Sequence, residues 1–182
     1  MLTYEEAKVT ILAYAKSQEP EKVDFRKSVG RALAEDLIAL EDQPPFDNSA
    51  VDGYAVRLNA IANATSENPV VLRCQEYMFA GRLDTVSLQE GECVQVATGA
   101  PMPLGADAVV MREQVVRKDD QVYFSHPTQN GNNLRRRGRD MSIGDPLFPV
   151  GTTIAPTHLV LLAAQGLVEV CLLYTSPSPR DS

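Results

Sequence analysis

The chain has 182 residues, of which 44% are hydrophobic, so it can bury a core as one domain or as two small ones. Its formal net charge of −7 argues against non-specific nucleic-acid binding and against an anionic membrane surface, and no apolar run approaches the roughly 20 residues that span a bilayer. Its three cysteines show neither a disulfide framework nor a metal spacing, which favours a soluble protein of a reducing cytoplasm.

The N-terminal segment predicts a helix. Thr3 can cap it, and Glu6 stands three residues later as the reciprocal capping partner. Apolar residues recur at helical spacing, at Ala7, Ile11, Tyr14 and Ala15. The helix should end before Pro20, and a second short helix is expected over Ser28–Ala34. The run Leu37–Leu40 then predicts a strand.

The middle of the chain reads mainly as short strands separated by Gly, Pro and Asn-Gly turns. The predicted strands are Tyr54–Val56, Val70–Gln75, Cys93–Ala97, Ala108–Met111 and Val122–Phe124. A last helix is expected over about Pro156–Gln165, with Gly166 at its C-terminal cap, before a strand over Leu167–Val170. Because strands do not alternate regularly with helices, the sequence predicts an irregular, β-rich α+β fold rather than a doubly wound sheet.

The predicted domain organisation has one folded region over residues 1–170. Within it, a β-rich subdomain is expected at about 46–145, and residues 1–45 and 146–170 form the remainder. Residues 171–182 read CLLYTSPSPRDS, and their polar half is rich in Ser and Pro. Two interpretations remain open, a disordered tail or the translation of a sequencing adapter run onto a truncated reading frame. The second interpretation implies that the native chain is cut off near Val170.

The first candidate site lies in the segment PPFDNSAVDGYAV, where turn formers and polar residues precede an apolar strand. Asp47, Asn48 and Ser49 can accept hydrogen bonds from nearby backbone N–H groups, which is a purely structural role. Asp52 differs from them because Gly53 follows it and leaves the carboxylate uncrowded at the start of a strand. A carboxylate at such a position can hold Mg²⁺ or orient a water molecule.

The second candidate site is the turn that begins TGAP, directly after an apolar strand. Gly99 lets backbone N–H groups approach a ligand, and the Thr98 hydroxyl adds a donor at the end of the strand. Such a turn can hold an oxyanion or a phosphate. A plain turn between two strands is the alternative, because Gly-Ala-Pro also produces one.

A third charged feature is the segment NLRRRGRDM. Of its three consecutive arginines, at most Arg135 and Arg137 share one face of a strand. They can bind an anionic substrate or acidic residues of a partner, or they can blunt the edge of a sheet. Histidine or cysteine pairs at metal-ligand spacing and a nucleophile–base arrangement are absent, so the residues alone indicate no reaction centre.

Together these segments resemble the N-terminal region of the MoeA family, the molybdopterin molybdenumtransferases, whose animal relatives include the E domain of gephyrin. The resemblance extends over further blocks, at Ser28–Leu40, Ala80–Arg82, Gly91–Pro101, Asn133–Asp145 and Ala155–Val170. It implies bent and coiled β-sheets in this region, followed in complete members by a pterin-binding α/β domain and a small β-barrel. It also implies a homodimer with the site in a cleft between subunits.

The activity implied by the resemblance is insertion of molybdenum from molybdate into adenylylated molybdopterin, with Mg²⁺ and with release of AMP. Asp52 and Thr98 match the family's functional residues. Asp52 is expected to bind Mg²⁺ or to position water, and Thr98 with the amides near Gly99 is expected to face an oxyanion. Further residues expected to line the cleft are Asn48, Ser49, Arg135 and Arg137.

Two positions depart from the family pattern. Arg139 stands where the family usually has an acidic residue, and Val51 replaces the common Met. The later domains are missing, so the chain by itself is expected to be catalytically inert. The alternative function is a dimerisation or scaffold module without a site of its own. In that case changes on the apolar helices would abolish self-association, whereas changes at Asp52 and Thr98 would be neutral.

Overall fold

The computed structural model describes residues 2–14, 19–82, 84 and 86–174. In chain order the helices and strands are α1 (Tyr4–Tyr14), β1 (Glu21–Asp24), β2 (Leu37–Ile38), β3 (Asn48–Ser49), β4 (Gly53–Val56), α2 (Leu58–Ile61), β5 (Val70–Met78), β6 (Glu92–Val96), β7 (Ala108–Met111), β8 (Val115–Lys118), β9 (Gln121–Phe124), β10 (Leu134–Arg135), β11 (Pro146–Phe148), α3 (His158–Ala164) and β12 (Glu169–Leu172). Short 3₁₀ turns cover Phe25–Lys27 and Arg112–Gln114.

The chain divides into two compact units. The terminal unit comprises Met1–Leu40 with Gly144–Ser182, and the central unit comprises Glu41–Ile143. The β-rich subdomain estimated from the sequence, at about 46–145, begins and ends slightly later than this central unit.

The central unit is built on a six-stranded sheet with the order β7-β4-β6-β5-β9-β8. Its pairs are antiparallel except for β5 with β6. Successive side chains of a strand point to opposite faces, so the buried apolar residues of these strands form two clusters. The larger side chains of one cluster are Tyr54, Ile61, Leu72, Val122 and Phe124. Those of the other are Met78, Leu88, Val94, Val96 and Val109. The predicted β-rich α+β class is confirmed.

The terminal unit pairs β1 with β12 and β2 with β11, both antiparallel. Its core consists of Leu33, Leu37, Ile154, Leu162, Val170 and Leu172. The predicted end of the last helix is confirmed, since Gly166 has a φ of +68° and the Leu167 N–H donates to the Leu162 carbonyl at 3.0 Å. His158 begins this helix, accepts a hydrogen bond from the Ala155 N–H at 3.2 Å, and stacks on Phe148.

The helix predicted over Ser28–Ala34 is wrong. A 3₁₀ turn occupies Phe25–Lys27 instead, and Gly30 follows with a φ of +80° that a right-handed helix does not allow. The Leu33 N–H donates to the Thr152 carbonyl at 3.0 Å, and the Ala34 N–H donates to Cys171 at 2.9 Å. Pairing with a distant part of the chain has therefore replaced local helical bonds.

The N-terminal capping box is confirmed in α1. The Thr3 N–H donates to the Glu6 carboxylate at 2.8 Å, and the Glu6 N–H donates to the Thr3 hydroxyl at 3.3 Å. None of the residues of α1 is buried, and its large apolar side chains are more than half exposed, at Tyr4, Val9, Ile11, Leu12 and Tyr14. Ala15, which the sequence also placed on this helix, lies outside the described residues.

The last described strand continues past the point where the sequence suggested a truncation. β12 ends at Leu172, which is fully buried and forms a bridge with Leu33. The Ser- and Pro-rich residues 175–182 lie outside the described part of the chain. Among the described residues, no helix has the length and apolar character needed to cross a membrane.

Candidate functional site

Strand pairing brings Asp52 and Thr98 together. Asp52 stands just before β4, Thr98 follows β6, and these strands pair antiparallel with Gly53 opposite Val96. An antiparallel pair places the start of one strand beside the end of its neighbour, so the two side chains meet at one end of the sheet. The glycine after Asp52 allows a close approach of β7, because a Cβ at Gly53 would lie 2.2 Å from the Val110 carbonyl oxygen.

The contact between these two residues is a double hydrogen bond. Oδ1 of Asp52 accepts from the Thr98 backbone N–H at 2.8 Å and from the Thr98 hydroxyl at 2.8 Å. The backbone bond and then the hydroxyl bond lower the pKa of Asp52 against the effect of desolvation, and the positive charge of Arg112 lowers it further. Among the described residues, no donor is bonded to Oδ2, so an exposed, ionised carboxylate keeps one oxygen free.

A third segment completes an open cleft around this pair. β7 lies on the other side of β4, with Met111 opposite Gly53, and the Arg112 N–H donates to the Asp52 carbonyl at 3.2 Å. The cleft has a volume of about 310 Å³. Its lining residues are Ala50, Val51, Asp52, Thr98, Met111, Arg112 and Glu113.

Arg112 and Glu113 are cleft residues that the motif reasoning did not single out. Both side chains are exposed, and Nε of Arg112 donates to the Glu113 carboxylate at 3.0 Å. The sequence feature that could have identified them is their position directly after the apolar strand Ala108–Met111. Their presence gives the cleft a guanidinium for an anion and a second carboxylate for a cation.

The backbone amides expected to bind an oxyanion near Gly99 are already in use. The Thr98 N–H donates to Asp52, the Gly99 N–H donates to the Ser49 carbonyl at 2.8 Å, and the Ala100 N–H donates to the Ala97 carbonyl at 3.0 Å. The Thr98 hydroxyl also donates to Asp52. Gly99 does adopt the left-handed conformation, with a φ of +80°. The turn therefore orients the Asp52 carboxylate, and the expected oxyanion role of these donors is not supported.

Asn48 and Ser49 were expected to line the cleft, but both are buried and neither is among its lining residues. The Ser49 hydroxyl donates to the Val51 carbonyl at 2.6 Å, which shapes the loop before Asp52. Asn48 forms a backbone bridge with Pro101 and pairs with Arg135. These two residues fasten the loop that carries Asp52 to the turn that carries Thr98.

The arginine run is bound to carboxylates of the central unit rather than directed at the cleft. Its three ion pairs are Arg135–Asp140, Arg136–Asp47 at 2.7 Å and Arg137–Asp42 at 2.5 Å. Partial burial acts to raise the pKa of Asp47, but hydrogen bonds from the Arg137 N–H and the Arg136 guanidinium outweigh it and lower that pKa. Arg135 and Arg137, expected to line the cleft, are thus engaged in ion pairs that join loops.

The two departures from the family pattern lie outside this ion-pair set. Arg139 is exposed, and its backbone N–H donates to the Arg136 carbonyl at 3.2 Å. Val51 is half-buried and packs against the cluster that contains Met78 and Val94. Val at this position keeps an apolar side chain in an apolar contact.

Replacing Thr98 with Val is expected to raise the pKa of Asp52, because the hydroxyl bond to Oδ1 is lost while the shape of the side chain is nearly kept. A folded-state pKa below the ordinary value stabilises the fold at neutral pH, and this contribution is lost as the pH falls through the folded pKa. In Thr98→Val that loss should therefore occur at higher pH. Carboxyl ¹³C NMR titration of Asp52 measures the shift.

Thr98→Ser is the matched control for this titration, because it retains a hydroxyl and should leave the pKa of Asp52 near that of the unchanged chain. The remaining bond from the residue 98 backbone N–H should keep the pKa in Thr98→Val below its ordinary value. An identical Asp52 titration in Thr98→Val and in the unchanged chain would contradict the assigned contact.

Comparison with known proteins gives consistent matches over nearly the whole chain. A family model described as the MoeA N-terminal region (domain I and II) matches residues 2–166. Molybdopterin molybdenumtransferase 2 of Mycobacterium tuberculosis is 35% identical over 173 residues, which cover 95% of this chain and 43% of that protein. Molybdopterin molybdenumtransferase of Haemophilus influenzae is 35% identical over 172 residues, which cover 93% of this chain and 41% of that protein.

Solved structures agree with the sequence matches. The crystal structure of a molybdopterin biosynthesis MoeA protein from Pyrococcus horikoshii has a TM-score of 0.87 and 32% identity, covering 95% of this chain and 44% of that one. A second MoeA structure from Pyrococcus horikoshii OT3 has a TM-score of 0.83 and 36% identity, covering 95% and 46%. The chain therefore spans less than half the length of the relatives that it matches.

Proposed function

This chain belongs to the MoeA family, as its N-terminal region, and we propose that the protein it represents is a molybdopterin molybdenumtransferase. The proposed reaction inserts molybdenum from molybdate into adenylylated molybdopterin and releases AMP. The structural observation that supports a catalytic part for this region is the contact between Asp52 and Thr98 in an open cleft. Because the relatives are more than twice as long, the activity is proposed for the complete protein.

Magnesium is the proposed cofactor, and the donors of the cleft suit it. Mg²⁺ is usually held by one or two carboxylates together with substrate phosphates and water. Asp52 offers a free carboxylate oxygen, and Glu113 adds a second carboxylate in the same cleft. The described residues contain no cluster of three or more His, Cys, Asp or Glu suited to a metal ion. When bound, Mg²⁺ would neutralise charge on the substrate diphosphate.

The roles proposed for the side chains follow from their charges. Thr98 holds the Asp52 carboxylate in one orientation through two donors, so the carboxylate keeps a defined position in the lining of the cleft. A bare carboxylate would repel an anionic substrate, which is why Asp52 is assigned to Mg²⁺ or to a water molecule. Anion binding is assigned to Arg112 instead of to the turn at Gly99, because the Arg112 guanidinium lies in the same cleft and can donate to oxyanions.

The complete protein is proposed to act as a homodimer in the cytoplasm. The exposed apolar side chains of α1 support a protein–protein contact, because residues such as Ile11 and Leu12 are more than 60% exposed. The same helix is what favours the alternative function, a dimerisation or scaffold module. Three free cysteines, Cys74, Cys93 and Cys171, are in keeping with a reducing compartment.

A chimera tests the proposed function. Residues 2–166 of this chain would replace the matching region of the Mycobacterium tuberculosis relative, which supplies the remaining domains. The chimera is expected to form molybdenum cofactor from adenylylated molybdopterin and molybdate, whereas the isolated chain should form none. The measurement is cofactor and AMP production, with the unmodified relative as the control. A folded chimera that binds the substrate but inserts no molybdenum would contradict the proposal.

A further inference from the structure

Two cysteines lie side by side in the central sheet, away from the cleft. β5 and β6 are the one parallel pair of this sheet, and Cys74 lies directly opposite Cys93 in their register. Neighbouring strands are about 4.8 Å apart, which falls within the Cα separation of about 4.4–6.8 Å that a disulfide spans. Both thiols are free of disulfide bonds, and the Cys74 thiol donates to the Glu76 carbonyl at 3.8 Å. Their backbone placement is thus already compatible with a disulfide.

The two thiols differ in exposure. Cys93 is fully buried in the apolar cluster with Tyr54 and Phe124, whereas Cys74 packs against the edge of that cluster and is half-buried. An oxidant or alkylating reagent from solvent therefore reaches Cys74 first. The Cys93 side chain has no exposed surface.

Charged groups around the pair favour a thiolate on Cys74. The neighbouring Cys93 thiol lowers the pKa of Cys74 against the effect of burial, and the guanidinium of Arg117 lowers it further, while Asp120 opposes them. For Cys93, the interaction with Cys74 and burial raise the pKa, and Glu92 acts in the same direction. These groups favour the thiolate form on the half-buried Cys74 rather than on the buried Cys93.

Arg117 is held in place by two hydrogen bonds, one local and one to another strand of the sheet. Its Nη1 donates to the Gln95 side chain at 2.5 Å, and its Nε donates to the Asp119 carbonyl at 2.8 Å. Gln95 lies on β6 two residues after Cys93, so this bond brings the guanidinium to the strand that carries Cys93. A fixed cation beside a partly exposed thiol is the usual setting of a reactive cysteine.

We propose that Cys74 and Cys93 form a redox-active dithiol that closes to a disulfide when a peroxide reaches the protein. The Cys74 thiolate attacks hydrogen peroxide, so that an S–O bond forms, the O–O bond breaks and hydroxide leaves. The Cys93 sulfur then attacks the Cys74 sulfenic acid, forming the S–S bond and releasing the hydroxyl group, which takes the Cys93 proton, as water. The two thiols lose two electrons in total to the peroxide, and a dithiol reductant reverses the change.

Trypsin cuts after Arg82, between the two cysteines, so a disulfide between them can be detected as two linked peptides. The purified chain would be treated with hydrogen peroxide, blocked with iodoacetamide, digested and examined by mass spectrometry. The expected product is the peptide that begins at Cys74 joined to the peptide that contains Cys93, two hydrogen atoms lighter than the free pair and separated again by dithiothreitol. Cys171→Ser is the matched control and should leave this product unchanged.

Variants of the pair test the order of the two steps. Cys74→Ser should abolish the linked peptide and leave Cys93 unreactive, whereas Cys93→Ala should stop the reaction at a Cys74 sulfenic acid that dimedone traps. Arg117→Gln should slow alkylation of Cys74 several-fold at neutral pH, and Arg117→Lys should restore most of the rate. Circular dichroism checks that each variant is folded.

Three outcomes would overturn the inference. The first is a disulfide that links separate chains or involves Cys171. The second is oxidation of Cys74 directly to sulfinic acid while Cys93 stays reduced in the folded, unchanged chain. The third is alkylation of Cys74 no faster than that of Cys171.

Discussion

Asp52→Asn is expected to reduce molybdenum insertion by the chimera at least ~100-fold, the size of effect typical of losing a proton-transfer or charged catalytic group. The substitution keeps the size of the side chain and an oxygen able to accept from Thr98. It removes the negative charge and the free carboxylate oxygen on which the proposed Mg²⁺ or water contact depends. Rates of cofactor and AMP formation over a range of magnesium concentrations measure the effect.

The magnesium series distinguishes the two roles assigned to Asp52. If the carboxylate binds Mg²⁺, raising its concentration should recover part of the Asp52→Asn rate; if it only positions water, added magnesium should recover none. Asp47→Asn is the control, because Asp47 lies in the same loop but bonds to Arg136 and Arg137 outside the cleft. It should leave insertion nearly unchanged. Undiminished insertion by Asp52→Asn would favour the scaffold function instead.

Gly53→Ala is expected to lower the free energy of unfolding by at least about 3 kcal/mol, at the upper end of overpacking effects, or to prevent folding of the central unit. The added Cβ would lie 2.2 Å from the Val110 carbonyl oxygen and 2.9 Å from a Val109 side-chain carbon. No rotamer relieves a contact with backbone, so β4 and β7 would have to separate. Urea unfolding followed by circular dichroism measures the loss.

Gly91→Ala is the matched control for this effect. Its φ of +76° makes alanine strained, but open space surrounds the position where the Cβ would be. The expected cost is only the left-handed backbone penalty of about 1–2 kcal/mol. An unfolding free energy for Gly53→Ala equal to or higher than that of Gly91→Ala would show that the strands tolerate a side chain at position 53.

Much of the fold was predictable because its signals are local. The apolar runs predicted Ala108–Met111 without error in its bounds and β4, β5, β6 and β9 within a few residues, whereas β8 was not predicted. Thr3 and Glu6 predicted a capping box, and Gly166 predicted the end of the last helix. Each of these features depends on neighbouring residues only, so a pattern over a few positions is enough to indicate it.

The predictions that were wrong or unsupported have one physical cause in common. Local sequence patterns suggested that backbone groups would bond to neighbouring residues or to a ligand, whereas these groups bond to residues far away in the chain. The Ser28–Ala34 segment has helix-forming residues, yet the backbone of Leu33 pairs with Thr152. The turn after Thr98 has the form of an anion-binding loop, yet the Gly99 amide is bonded to Ser49. A backbone N–H that already donates to a distant carbonyl is not available for a helix or for a ligand, and this explains both cases.

By itself, the sequence determined the strand-rich class, the MoeA likeness and the two residues, Asp52 and Thr98, that carry the candidate site. Only the tertiary structure decided what the site is made of. It placed Arg112 and Glu113 in the cleft, used the Thr98 donors to orient a carboxylate, and tied Arg137 to Asp42. The reason is physical: composition and spacing specify which groups a segment carries, whereas the pairing of strands determines which of those groups are already bonded and which remain free.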